Sequence, residues 1–420
     1  MSGRTDSGPK ALLEKLSEQA CDPKALEPFW EESLASFPKA PLPFLKPALL
    51  REWRAFCGLP EEADPALFSA AAAISDSKEL SFLAWHAYRR LYLHTDSGYF
   101  KDWPELSASL NEQAGLFYLV IALSMVPLVK ESHAGLNVET EVTRDTCRQV
   151  FHFAENYRRD HPGHFGLLRR QLYWLRHYTQ GKLFRLGRFE YKLEQKPLGV
   201  YVFCHRKTGQ MQVLAARGLC LDKAGLGAAE GGPDPEGFVA ILHLDGQTIA
   251  GHPVSGKTGS ASREMMSLSL EEWERVAGPG DWFLDLHIPA GGNMTPEVCA
   301  DSFKRAFAFF DSHFPQTRAE AIICFSWMFN PALEKILPRD SNLVRLLREV
   351  FLFPVPRHPR DGFFFLFGEK GESAALSDLP RDTSLQRAVL DYINAGNPWR
   401  GGGMLLFRRD LARFGSGVYL

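Results

Sequence analysis

Asp285 and His287 stand two residues apart in the run DWFLDLHIP (281–289). In an extended strand that spacing puts both side chains on one face, with Leu286 on the other. A carboxylate beside an imidazole orients the ring and tunes it toward a proton-accepting role. The same pair also closes a strand end as hydrogen-bonded core residues, so the spacing leaves both roles open. The next residues, AGGNMT (290–295), are a tight glycine loop, and Thr295, Pro296 and Glu297 follow as a helix start: a capping hydroxyl, a proline suited to the first helical position and an acid in the first turn. A helix N-terminus leaves backbone N–H groups unpaired, and Gly291 with Gly292 lets a diphosphate approach the main chain without a Cβ in the way. Glycines also serve any sharp strand-to-helix turn, and the loop alone does not choose.

Two other patterns invite a chemical reading. GHPVSGKT (251–258) matches the phosphate-loop pattern letter for letter. That mechanism needs a helix leaving directly from the Lys-Thr, whereas GSAS follows here and SREMMSLSLEEWERV reads as helical only near Ser269, so a polar hairpin or surface loop is expected. Ser75-x-x-Lys78 together with Lys257-Thr258-Gly259 resembles the signatures of penicillin-recognising enzymes, but the context fits a helix start with Ser75 as its cap. With no H-E-x-x-H, no G-x-S-x-G and no Cys/His cluster of ligand spacing, no bound metal is expected.

The elements that must hold these residues follow from composition and periodicity. A chain of 420 residues with 45% hydrophobic and 23% charged residues is long enough for two or three domains, each with its own core. A formal charge of −2 gives no whole-chain attraction for nucleic acid or an anionic membrane, and the basic run 158–178 spreads its arginines over more than one helical face, as a solvated surface does. Seven dispersed cysteines without a C-x-x-C pair, and an N-terminus without an apolar leader, predict a cytoplasmic protein. The longest apolar stretch, 114–129, is too short for the ~20 residues of a span and predicts a buried helix.

Apolar residues recur at helical spacing from 11 to 181 after a flexible segment 1–10, which predicts an all-α N-terminal domain. From 182 to 420 the period shortens. LFRLGRFEYKLEQ, GVYVFCHRK and QMQVLAARG read as an antiparallel meander, FVAILHLDGQTIAGHPV as a further strand and 223–237 as a loop. Strand 281–289, helix 298–314 and strand 319–329 form a βαβ unit. NPALEKIL and SNLVRLLREV read as helices, VFLFPV and GFFFLFG as strands and DTSLQRAVLDYINAG as a closing helix. The fold class is α+β: an all-α domain, then a mixed, largely antiparallel sheet with flanking helices.

LHIPAGGNMTPEVC, FSWMFNPALEKILP and DSNLVRLLREVFLFP, in that order, resemble a bacterial family of GNAT-like acyltransferase-domain proteins, in which a helical acyltransferase domain precedes a GNAT-like C-terminal domain. The resemblance covers most of 50–415 and is strongest over 281–355. It implies transfer of an acyl group from acyl-CoA to an amine on a small-molecule acceptor, without a metal, nucleic acid or membrane. It places the CoA pyrophosphate on Ala290, Gly291, Gly292, Asn293, Met294 and Thr295, and the thioester oxygen on main chain near Leu286 and Ile288. His287, Asp285 and Ser326 are the implied catalytic residues, with Trp327 and Asn342 near the substrate. Two departures stand out: the superfamily's usual Gln/Arg-x-x-Gly-x-Gly/Ala loop is not present as such, and no tyrosine occurs between Tyr201 and Tyr392 to act as general acid. The alternatives are a CoA- or acyl-binding protein that has lost catalysis and, through 251–258, a phosphate-loop nucleotide enzyme.

Overall fold

Residues 8–94, 100–229, 232 and 234–419 are described by a computed structural model, in which the periodic apolar runs of the N-terminal half are helices. The chain divides into two units, Met1–Arg185 with Pro289–Gly291, and Leu186–Ile288 with Gly292–Leu420.

In the first unit, helix Asp64–Asp76 is followed by α1, Lys78–Tyr92. Ser77 between them is extended and its Oγ accepts the Leu80 N–H at 3.2 Å. The cap is therefore Ser77. Ser75, expected in that role, lies inside the preceding helix, because a cap needs the non-helical backbone that only Ser77 has. The helix α2, Ala114–Leu123, is buried at every residue, as a helix apolar all round must be. Of the expected flexible segment, residues 1–7 lie outside the described residues and Pro9–Lys15 is a helix whose Leu12 and Leu13 join the core.

The second unit is built on a six-stranded sheet whose first strand begins three residues before the boundary at Leu186. Its strands are β1 (Leu183–Leu186), β2 (Phe189–Gln195), β3 (Trp282–His287), β4 (Ala321–Ser326), β5 (Phe351–Phe353) and β6 (Gly402–Phe407), in the order β1-β2-β3-β4-β6-β5. Only β3 and β4 run parallel in the pairs with a defined register, joined by α3 (Pro296–His313), so the βαβ unit stands inside an otherwise antiparallel sheet. Phe283, Ile323, Phe353 and Leu405 pack on one sheet face with Val200, Val202 and Val213 of the meander.

Four local readings change. SREMMSLSLEEWERV is not helical: Met266–Ser269 pairs with Thr248–Gly251, and Trp273–Ala277 with Val200–His205. Leu268 goes into a small core with Phe203 and Ile249 while Ser267 faces out, a period of two. The single strand expected over 238–254 breaks at Asp245, whose carboxylate accepts the Gln247 and Thr248 N–H groups and turns Leu242–Leu244 back onto Thr248–Gly251. GFFFLFG forms a short helix, Phe363–Phe367, which buries four of its residues and leaves Phe365 exposed. A wholly apolar run carries no period to distinguish strand from helix. Finally, β6 was expected nowhere, yet it is the strand between β4 and β5.

Candidate active site

The antiparallel register of β2 and β3 sets Lys192 opposite Asp285 and Glu190 opposite His287. Opposed residues share a face, so FEYKLEQK deposits Glu190, Lys192 and Glu194 beside Asp285 and His287. Asp285 is 3% exposed. Its Oδ2 lies 2.9 Å from Lys196 Nζ and 3.3 Å from His287 Nε2, while Lys196 also reaches Glu194 at 2.6 Å. Burial alone pushes the Asp285 carboxyl up, but His287 and Lys196 overcome it and hold the group well below the ordinary carboxylate range. Burial likewise opposes the Lys196 charge, and Asp285 with Glu194 reverses the effect and raises it. Asp285 is thus a fixed anion. With Nε2 directed at that anion, a proton accepted by the His287 ring goes to Nδ1.

β3 and β4 pair only at Leu284–Ile322 and Asp285–Ile323. Beyond that point β3 continues against β2 as far as His287, and β4 continues against β6 as far as Ser326. The two strands therefore part at the level of Leu286, a short step before the glycine loop. Alternate amides along a strand point to opposite neighbours, so a parted edge turns main-chain donors away from any strand.

The loop itself is open. Ala290, Gly291, Gly292 and Asn293 are exposed and Met294 and Thr295 half-buried; the first two group with the helical unit, the rest with the sheet unit. Gly291 and Gly292 have φ of 75° and 72°, a consecutive left-handed pair that side chains with a Cβ rarely adopt. Thr295 caps α3, its Oγ1 accepting the Val298 N–H at 3.5 Å. Glu297 is held below its ordinary range by its own backbone N–H and the Thr295 hydroxyl, so a carboxylate already sits on the helix N-terminus.

Residues not anticipated from the sequence complete this end. Buried Ser302 of α3 donates to the Leu186 carbonyl at 2.6 Å, accepts the Phe189 N–H at 3.2 Å and meets the Tyr191 hydroxyl at 2.9 Å. That clamp fixes the β1–β2 turn against the helix and sets Arg188 beside Gly292, where an added Cβ would come within 3.4 Å of Arg188 Nε. Arg188 and Lys196 carried no motif; the visible signal was the alternation Glu190, Lys192, Glu194, Lys196, which gives one strand face a run of charge.

The other expected residues have local roles. Ser326 Oγ accepts the Met328 N–H at 3.2 Å and caps the turn after β4. Trp327 is buried and fills the space over Gly362, where a Cβ would lie 2.0 Å from Trp327 Cδ1. Asn342 opens the helix Asn342–Leu347, α4, behind its cap Ser341. Asp361, beside Gly362, is a half-buried carboxyl pushed up by burial, and the Cys324 thiol of β4 feels both Asp361 and Asp285. In 251–258, Val254–Ser255 pairs with Ser260–Ala261 as a hairpin, and no helix leaves Lys257.

Comparison with known proteins gives the family of the chain and likenesses of its fold. Residues 183–405 match the GNAT-like C-terminal domain family, and residues 49–181 match the N-acyltransferase N-terminal domain. Solved structures of the same fold include an acyltransferase mutant bound to octanoyl-CoA and an acyltransferase bound to decanoyl-CoA and teicoplanin. Each has 21% identity, a TM-score of 0.62 and coverage of 95% of this chain and 99% of that one. An acyltransferase in complex with decanoyl-CoA matches at 20% identity and a TM-score of 0.60, with the same coverage. No curated protein matches the sequence.

Proposed function

Since the chain belongs to the family defined by the GNAT-like C-terminal domain, here preceded by an N-acyltransferase N-terminal domain, we propose that it moves an acyl group from acyl-CoA directly to an amine. The observation that carries this reading is the parting of β3 from β4 immediately before a left-handed glycine pair and a helix N-terminus. The amides of Gly292, Asn293, Met294 and Thr295, with Arg188, hold the diphosphate. The pantetheine arm takes the place of the missing strand pairing, so the thioester lies along Leu286 and Ile288, where main-chain N–H stabilises the developing oxyanion.

The amine nitrogen attacks the thioester carbonyl and a new C–N bond forms. His287 Nδ1 takes the proton the nitrogen sheds, and Asp285 stabilises the resulting imidazolium. Collapse of the intermediate breaks the C–S bond, and the proton passes from the imidazolium to the thiolate, leaving an amide and free CoA. The solved relatives with octanoyl-CoA and decanoyl-CoA support a medium-chain donor, and the one with teicoplanin supports a bulky small-molecule acceptor. All seven cysteines are free thiols, in keeping with a reducing cytoplasm.

The test is release of CoA thiol from decanoyl-CoA and acetyl-CoA over a panel of amines, with the acylated product identified by mass. Turnover that needs both substrates supports the reading. Tight CoA binding without amide formation over the whole panel makes the protein a binder and sinks the catalytic assignment.

A further inference from the structure

Asp361 is a half-buried carboxylate with no lysine or arginine paired to it among the described residues, and neither of its oxygens is sealed from solvent. The neighbouring arginines are committed elsewhere. Arg357 pairs with Asp234, Arg360 donates to the Gly371 and Ala374 carbonyls, and Arg400, next to Gly401, donates to Asp222 and the Gly227 carbonyl. Burial pushes the Asp361 carboxyl up, and only the exposed His358 and the Gly362 N–H act the other way. Such a group gains most from a ligand that brings a cation.

Its place on the sheet follows from register. Phe283 and Ile323 pack with Phe353 in one core, so Asp285, His287 and Phe325, each two or four residues further along, face the same side. Phe325 is opposite Gly403 of β6, and Gly403 is opposite Phe353 of β5. Gly401, two residues before Gly403, faces that side as well, and a Cβ there would stand 2.0 Å from Asp361 Oδ2. The bare backbone before β6 therefore seats the Asp361 carboxylate on the face that carries Asp285 and His287. Between them lies Phe325, 39% exposed, its ring perpendicular to that of Phe353 at 5.7 Å. His287 and Phe325 are level, because Asp285 is opposite Ile323. Asp361 is thus two strands across and two residues beyond His287, which at about 4.8 Å per strand and about 3.3 Å per residue is on the order of 12–15 Å. A hydrogen bond of about 3 Å at each end leaves roughly 6–9 Å between the two nitrogens of a ligand that bridges them.

We infer that the acyl acceptor is a primary amine bearing a second cationic group, with the attacking nitrogen at His287, an apolar spacer across Phe325 and the second cation on Asp361. The inference rests on the acyl-transfer reading and names the acceptor class of that site. The test compares 1,6-diaminohexane with 6-amino-1-hexanol, which keeps the length and a polar end without the second charge, at saturating decanoyl-CoA. The parent should favour the diamine at least about tenfold in kcat/KM, chiefly through KM. Asp361→Asn should lower kcat/KM for the diamine about ten- to a hundredfold and for the amino alcohol by much less. Equal kcat/KM for the two acceptors in the parent would overturn the inference. So would an equal loss for both in Asp361→Asn, which would make Asp361 a structural residue. If Asp361→Asn does not fold, the preference of the parent, which should shrink as salt is raised, still decides. If no amine is acylated, the acyl-transfer reading fails on its own, and calorimetric titration of 1,6-diaminohexane into the protein with CoA present decides the site. Binding that is at least tenfold weaker for the amino alcohol and for Asp361→Asn supports it, and the lack of such binding overturns it.

Discussion

Two glycine turns, at 251–258 and at 290–295, make opposite use of the same residue type. The turn at 251–258 spells the phosphate-loop pattern in full, yet it joins Val254–Ser255 to Ser260–Ala261 and no helix begins at Lys257. The turn before Thr295 has no such spelling, yet it ends at the N-terminus of an 18-residue helix with Arg188 alongside. Anion binding comes from unpaired amides and an aligned helix dipole, which belong to the element after the glycines rather than to the glycines. The glycines themselves differ in purpose. An added Cβ at Gly256 would come 2.3 Å from Phe351 Cδ2, so packing requires that glycine, whereas at Gly292 the backbone conformation requires it.

The widest separation between the two turns is expected in catalysis. His287→Ala, next to the second turn, should lower kcat about 10²–10⁴-fold, whereas Lys257→Ala in the first should leave it unchanged. Steady-state CoA release under saturating substrates checks both, and a large loss in Lys257→Ala would reinstate the hairpin as a working site. Asp285→Asn should also lower kcat, and it carries a pH signature. The folded Asp285 titrates below the unfolded value of about 3.9, so the unfolded chain protonates first as the solution is acidified. Its stabilisation is complete above about pH 5 and disappears as pH falls toward the folded value. Urea unfolding between pH 3 and 6 should show a smaller loss with falling pH in Asp285→Asn than in the parent.

Substitutions at the glycines should divide by type of damage. Gly292→Val forces a left-handed φ on a β-branched residue, at a cost of about 1–2 kcal/mol, and drives a side chain toward Arg188. The KM for acyl-CoA should rise about five- to thirtyfold, since 1.4 kcal/mol is a factor of ten. Gly256→Ala should instead destabilise the fold by about 1–3 kcal/mol through overpacking against Phe351, and so lower the melting temperature, with KM unchanged. Exchange of those two outcomes would reverse the assignment of the turns.

That division also marks what the amino-acid sequence discloses. The stretch from DWFLDLHIP to FSWMF was legible because alternation, the Thr295 cap, Pro296 and an amphipathic helix all agree locally. The fold class followed from the change of period after Gly181. β6 stayed hidden because its first residues are glycines demanded by a neighbour: a Cβ at Gly402 would lie 1.9 Å from the Phe329 carbonyl oxygen, so the strand begins with what reads as a loop. The Asp285–His287 pair could be read from spacing, since a strand fixes which residues share a face. Lys196 and Arg188 could not, because their places come from strand register and from the Ser302 clamp, both set by residues distant in the chain.

An effect smaller than that of His287→Ala is expected at Arg188. Removing one charge-assisted contact to a phosphate costs about 1.5–3 kcal/mol, so Arg188→Ala should raise the KM for acyl-CoA by about ten- to a hundredfold. Dephospho-CoA esters and short pantetheine thioesters separate its targets. If the diphosphate is the partner, the penalty persists with the dephospho ester and vanishes with the pantetheine thioester.

The smallest effect, of opposite sign, belongs to Glu297. Its carboxylate takes its own backbone N–H and the Thr295 hydroxyl at the start of α3, so it occupies part of the positive end that the diphosphate needs. Glu297→Gln removes that competing charge while keeping the side-chain length. With that charge gone CoA should bind about two- to fivefold more tightly, an advantage that shrinks as salt screens the terminus. Calorimetric titration of CoA at two ionic strengths measures both. No gain, or a gain that salt leaves untouched, would mean that the diphosphate is not held at this helix end, and the contrast between the two glycine turns would lose its physical basis.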